Sequence, residues 1–66
     1  MLPPGWVRIS PYAIRNPPWT VCKVRVRECW QYELWHQGED RRHRFVSGHH
    51  QNAEAAITAA CDNQED

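Results

Sequence analysis

Apolar and polar residues alternate with a period of two from Trp19 to Arg27, then again from Trp30 to Gln37. That period, with β-branched and aromatic residues on it, is the signature of half-buried strands. In the first run Cys22, Val24 and Val26 fall on one side and Val21, Lys23, Arg25 and Arg27 on the other. In the second, Trp30, Tyr32, Leu34 and His36 share one side, opposite Gln31, Glu33 and Trp35. Residues directly opposite in an antiparallel pair lie on the same face. Joining the two more apolar sides therefore predicts a three-residue loop, Arg27 to Cys29, with Val26 opposite Trp30, Val24 opposite Tyr32 and Cys22 opposite Leu34, or a register shifted by two that sets Arg25 opposite Glu33. A two-residue loop at Glu28–Cys29 would put these sides out of phase.

Gly38-Glu-Asp40 reads as the next turn, and Arg41 to Ser47 as a third long strand with Phe45 as its core candidate. The first eighteen residues hold all five prolines. Proline fixes φ and lacks a ladder donor, so only short extended pieces fit there, Trp6–Ile9 and Tyr12–Arg15, as an edge strand or an apolar strap. Asn16-Pro-Pro18 is a turn. Beyond Gly48-His-His-Gln51 the period changes: Ala53, Ala56, Ile57, Ala60 and Cys61 recur at helical spacing, behind Asn52 as N-cap and Glu54 in the first turn. A helix over 52–61 follows, with Ile57 as its main anchor and an acidic end, 62–66, that frays.

The expected fold class is thus α+β. It is a single domain, 1–66, with a three- to four-stranded antiparallel β-meander (19–47) packed on one face by a single C-terminal helix. A chain of 66 residues buries little more than about 60% of its unfolded surface, so four Trp matter to its core. One helix covers one sheet face, and the other is left for solvent or a partner.

The net charge is zero but unevenly spread. Residues 1–27 carry five cations and no acid, and the rest carry three cations against eight acids. Either the halves pair across the sheet or the basic half forms a binding surface. The expected partner-binding set lies on the uncovered face and nearby: Val21, Lys23, Arg25, Arg27, Glu33, Trp35, Arg42 and Arg44. Trp and Arg are favoured protein-interface anchors, which points to a protein partner or a second copy of the chain. Cations interleaved with an aromatic ring also suit single-stranded nucleic acid, the second candidate. Overall neutrality favours the protein partner, because dedicated nucleic-acid modules are strongly basic.

No catalytic motif is present, and a chain this short encloses little pocket; the expectation is a non-enzymatic protein with no cofactor. Cys22, Cys29, His36 and His43 are zinc-type ligands, but each is separated from the next by six residues. Structural zinc sites begin with a closer pair, so no metal is expected. His49 and His50 form a solvated pair without an oriented partner. Three cysteines, no apolar leader segment and no membrane-length apolar run are the pattern of a cytoplasmic protein with free thiols.

The segments Tyr12-Ala-Ile14, Trp19-Thr-Val-Cys-Lys-Val24, Tyr32-Glu-Leu-Trp35 and Asn52-Ala-Glu-Ala-Ala56 resemble small phage- and prophage-encoded accessory proteins, over about residues 12–60. The resemblance implies a meander followed by a short helix, a host-cell cytoplasmic setting, and stoichiometric action on a host protein as inhibitor or regulator. The sheet-then-helix order is also similar to the DNA-binding amino-terminal domain of some tyrosine integrases. It is similar as well to the second half of a double-stranded-RNA-binding domain. Here, however, the helix carries no Lys or Arg, and the RNA-binding family's first helix has no counterpart.

Overall fold

A computed structural model describes residues 2–63. Five strands follow in chain order: β1 (Val7–Ser10), β2 (Ala13–Asn16), β3 (Trp19–Val26), β4 (Cys29–Gln37) and β5 (His43–His50). They form one antiparallel sheet in the order β1-β2-β3-β4-β5, and one helix, α1 (Ala53–Asn63), closes the chain. The α+β class and the meander stand as expected, with one strand more than the upper estimate. The proline-rich segment is no strap. Its prolines fall outside the strands, at 3, 4, 11, 17 and 18, and leave two four-residue strands between them. β2 pairs with β3 along its whole length, Ile14 opposite Val21 and Asn16 opposite Trp19.

The central hairpin departs from the expected register. Val26 pairs with Cys29, Lys23 with Tyr32, Val21 with Leu34 and Trp19 with His36, across the two-residue turn Arg27-Glu28. The primed turns that suit two-residue hairpins demand a positive φ at the first central residue, and Arg27 supplies it at φ 58°. One residue of slip exchanges the faces of β3. Trp19 and Val21 now meet the helix, whereas Cys22, Val24 and Val26 lie on the helix-free side.

The core is built from Trp6, Ile14, Trp19, Val21, Leu34, Ala56, Ile57 and Ala60, with Leu2, Tyr32, Val46 and Ala59 packed against it. Val21 is 2% exposed and Leu34 fully buried. Trp19 adds an edge-on contact to the His36 ring, centroids 4.8 Å apart. The helix is capped as expected: the Asn52 Oδ1 accepts from the backbone N–H of Ala55 at 2.8 Å. It runs two residues beyond 61, and Cys61, expected on its inner face, is exposed. The end expected to fray is helical at Asp62 and Asn63, and residues 64–66 lie outside the described residues.

β5 pairs with β4 through two irregularities, between Tyr32 and Leu34 and between Leu34 and Trp35. His49, at φ 62°, sits within the first of these, where β5 carries more residues than β4. Phe45, the expected core residue of this strand, pairs with Trp35 and is 54% exposed on the helix-free side.

Candidate functional site

The sheet has two unlike faces. On the helix-free face the register brings together Val7, Ala13 and Arg15, Thr20, Cys22, Val24 and Val26, Glu33 and Trp35, then Phe45. Ile9, in the irregular stretch of the β1–β2 pairing, joins them: it shares a shallow depression with Ala13, Arg15, Thr20, Cys22, Trp35 and His43. Trp35 and Phe45 form an edge-to-face pair with centroids 5.5 Å apart. The Phe45 ring lies over Gly48, where a Cβ would meet Cζ at 2.9 Å, so a side chain at 48 would push the exposed ring aside. Trp35 Nε1 donates to Glu33 Oε1 at 3.3 Å, and an Arg15 amine donates to Gln37 Oε1. The Arg15–Gln37 pair closes one end of the face, while Glu33 lies within it, between Trp35 and Gln31 on β4 and opposite Cys22.

Cys22 lies directly opposite Glu33 on this face. Burial pushes its thiol pKa up, and the Glu33 carboxylate pushes it further in the same direction. A neutral, unreactive thiol is the result.

The helix-side face changes character along its length. Under α1 it is the core. Beyond the start of α1, at the β3–β4 hairpin end, it carries Lys23, Arg25 and Trp30, with Tyr12 from the β1–β2 turn. The Tyr12 and Trp30 rings are nearly parallel, 16° apart with centroids at 5.8 Å. The Lys23 ammonium sits 4.7 Å and the Arg25 guanidinium 5.9 Å from the Trp30 centroid, both within cation–π range. The Lys23 backbone N–H donates to the Tyr12 carbonyl at 2.7 Å, which ties the turn to β3.

The expected partner-binding set is therefore divided. Glu33 and Trp35 lie on the uncovered face. Val21 is in the core, 2% exposed. Lys23 and Arg25 turn to the helix side with β3, and Arg44, opposite His36, lies on that side too. Arg27 is in the hairpin turn and Arg42 in the turn before β5, where its N–H donates to Asp40 Oδ1 at 3.1 Å. Sequence reasoning missed Val7, Ile9, Cys22, Val24, Val26 and Phe45 as members of the open face, because the register slip placed three of them in the core. The Tyr12–Trp30 pair was missed because it joins residues from two hairpins.

The four zinc-type residues are not brought together: Cys22, Cys29 and His43 lie far apart along the open face, opposite Glu33, Val26 and Gln37, and His36 is on the helix side. Among the described residues no cluster of three or more His, Cys, Asp or Glu is placed to hold a metal ion. His49 Nδ1 contacts Gln31 Oε1 at 2.9 Å. The Ser47 hydroxyl lies 2.8 Å from His50 Nε2, three residues away, and closes the β5 irregularity. Among the described residues no helix is long and apolar enough to cross a membrane. No family model, curated protein or solved structure matches the chain.

Proposed function

We propose that this is a non-enzymatic binding protein whose helix-free sheet face docks a protein partner. One observation carries the reading. Of the six large hydrophobic residues exposed among the described residues, four (Val7, Ile9, Val26 and Phe45) belong to this face. Phe45 packs on Trp35 and Ile9 shares its depression, while Val7 and Val26 lie farther out on the same face. Exposed apolar surface gathered on one face of a small domain marks an interaction surface. The Trp35–Phe45 pair has the make-up of an anchor, a rigid aromatic unit already in place before binding, with Glu33 and Arg15 as polar groups within the same face. The likeness to phage accessory proteins makes a host protein the proposed partner and the host cytoplasm the proposed setting.

The experiment is affinity capture from host lysate, treated with nuclease, followed by reconstitution of the captured protein with the purified chain. A stoichiometric complex is expected, with a negative heat-capacity change from apolar burial. Trp35→Ala with Phe45→Ala should abolish it, while Trp30→Ala on the other side should leave it intact. Sedimentation of the chain alone tests the competing occupant: a stable homodimer lost in the Trp35, Phe45 double variant would mean that a second copy fills the face.

A further inference from the structure

We infer that the hairpin end of the helix-side face is a second, separate site, which takes single-stranded nucleic acid through ring stacking and phosphate contact. Its parts are Tyr12, Trp30, Lys23, Arg25 and Arg8. Trp30 is 41% exposed although it is stacked with Tyr12, itself exposed. Two rings held nearly parallel at the surface form a platform to which a base adds as a further ring. In the free protein the two cations lie over the Trp30 ring; a base stacking there takes their place, and they swing out to its phosphate.

The neighbouring cleft supports the same chemistry. Its volume is about 120 Å³. That is room for one flat ring rather than a drug-sized ligand, whose pockets run to about 300–1,000 Å³. Its floor is apolar, with Ile14 and Val21; its walls include Tyr12 and Tyr32; and its polar groups include Arg8 and Lys23. None of the described residues lining it is acidic. An apolar floor, aromatic walls and cationic rims complement a base carrying a phosphate. They do not complement an acidic peptide, which offers charge but no ring.

The protein-docking face lies on the opposite side of the sheet, so the two readings stand or fall separately. The test is titration of the full chain with 15-nucleotide oligo(dT) and oligo(U), followed by tryptophan fluorescence at low and rising salt. Micromolar binding is expected. With three or four phosphates neutralised, log K should fall against log salt with a slope of about −2 to −3, at about −0.7 per phosphate on a single strand. Trp30→Ala should weaken binding roughly 5- to 150-fold, the ~1–3 kcal/mol of one base–aromatic stack. Trp30→Phe should retain most of the affinity, and Trp35→Ala, on the other face, all of it. Trp30 is surface-exposed, and circular dichroism confirms that each variant is folded. No binding up to 100 µM at low salt would overturn the inference. So would an affinity unmoved by Trp30→Ala, or equal affinity for duplex DNA or polyglutamate, since either equality would leave charge alone at work.

Discussion

The two faces of β3 make opposite use of the same eight residues. On the helix side, Trp19 and Val21 are sealed into the core, and Lys23 and Arg25 continue the row past the start of α1. On the open side, Thr20, Cys22, Val24 and Val26 stay small and uncharged throughout. Length explains the difference. An eleven-residue helix reaches about 16 Å. An eight-residue strand reaches about 27 Å. The helix can therefore bury only part of the row that it covers, and the remainder is free to carry charge. The lesson is that the more apolar side of a strand need not be the buried one. Here the buried side is the one with the larger residues at the end the helix reaches.

The largest effect should come from setting the faces against each other with a charge. Val21→Asp places an unpaired carboxylate among Ile14, Leu34 and Ile57, a cost of several kcal/mol in a chain whose whole stability is of that order. Val26→Asp adds the same carboxylate to the open side, at a residue 40% exposed. Val21→Asp should lose its cooperative thermal transition, while Val26→Asp should keep it and lose partner binding. The reverse outcome would restore the three-residue loop and its register.

How much of this was legible follows the strength of the local signals. The helix was, because Asn52 is a strong cap and Ala53, Ala56, Ile57 and Ala60 recur at its period. The long strands and the Asn16–Pro18 turn were too, except that the third runs His43–His50 rather than Arg41–Ser47 and takes in the His49–His50 pair read as a link. The β3–β4 register was not: Arg27-Glu28 contains neither the Gly nor the Asn that marks a tight hairpin, so the turn gave no vote between two and three residues. Periodicity then chose the wrong face, because Lys23 and Arg25 were counted as outward-facing along a strand that is covered only in part. The β1–β2 hairpin was hidden by its flanking prolines. The exposure of Phe45 depended on β5 irregularities that alternation alone does not reveal.

A middle-sized effect sharpens the core side. Leu34 is the strand residue facing both Val21 and the helix, and it is fully buried. Leu34→Ala should cost about 2–5 kcal/mol, and Ile57→Ala about 2–4 kcal/mol by the same loss of packed volume. Urea denaturation measures both. Phe45→Ala, on the open face, should fall well below either. A cost for Phe45→Ala equal to that of Leu34→Ala would mean that the open face belongs to the core of the free protein.

The smallest effect is chemical and reads the faces through their thiols. Cys29 and Cys61 are exposed, while Cys22 is half-buried on the open face with its pKa raised above the ordinary 9.0, by burial first and by Glu33 second. The thiolate is the reactive form, so at pH 8 iodoacetamide should label Cys22 last, with rates read by mass spectrometry. Glu33→Gln should speed Cys22 a few-fold without making it the fastest, because burial remains. The folded state also holds this proton more tightly than the unfolded chain. The thiol's contribution to stability is therefore intact below the unfolded value near 9 and is lost as pH rises through the higher folded value. A bound protein partner should slow Cys22 further and leave Cys61, on the helix, untouched. Equal protection of both would place the partner across the helix rather than on the open sheet.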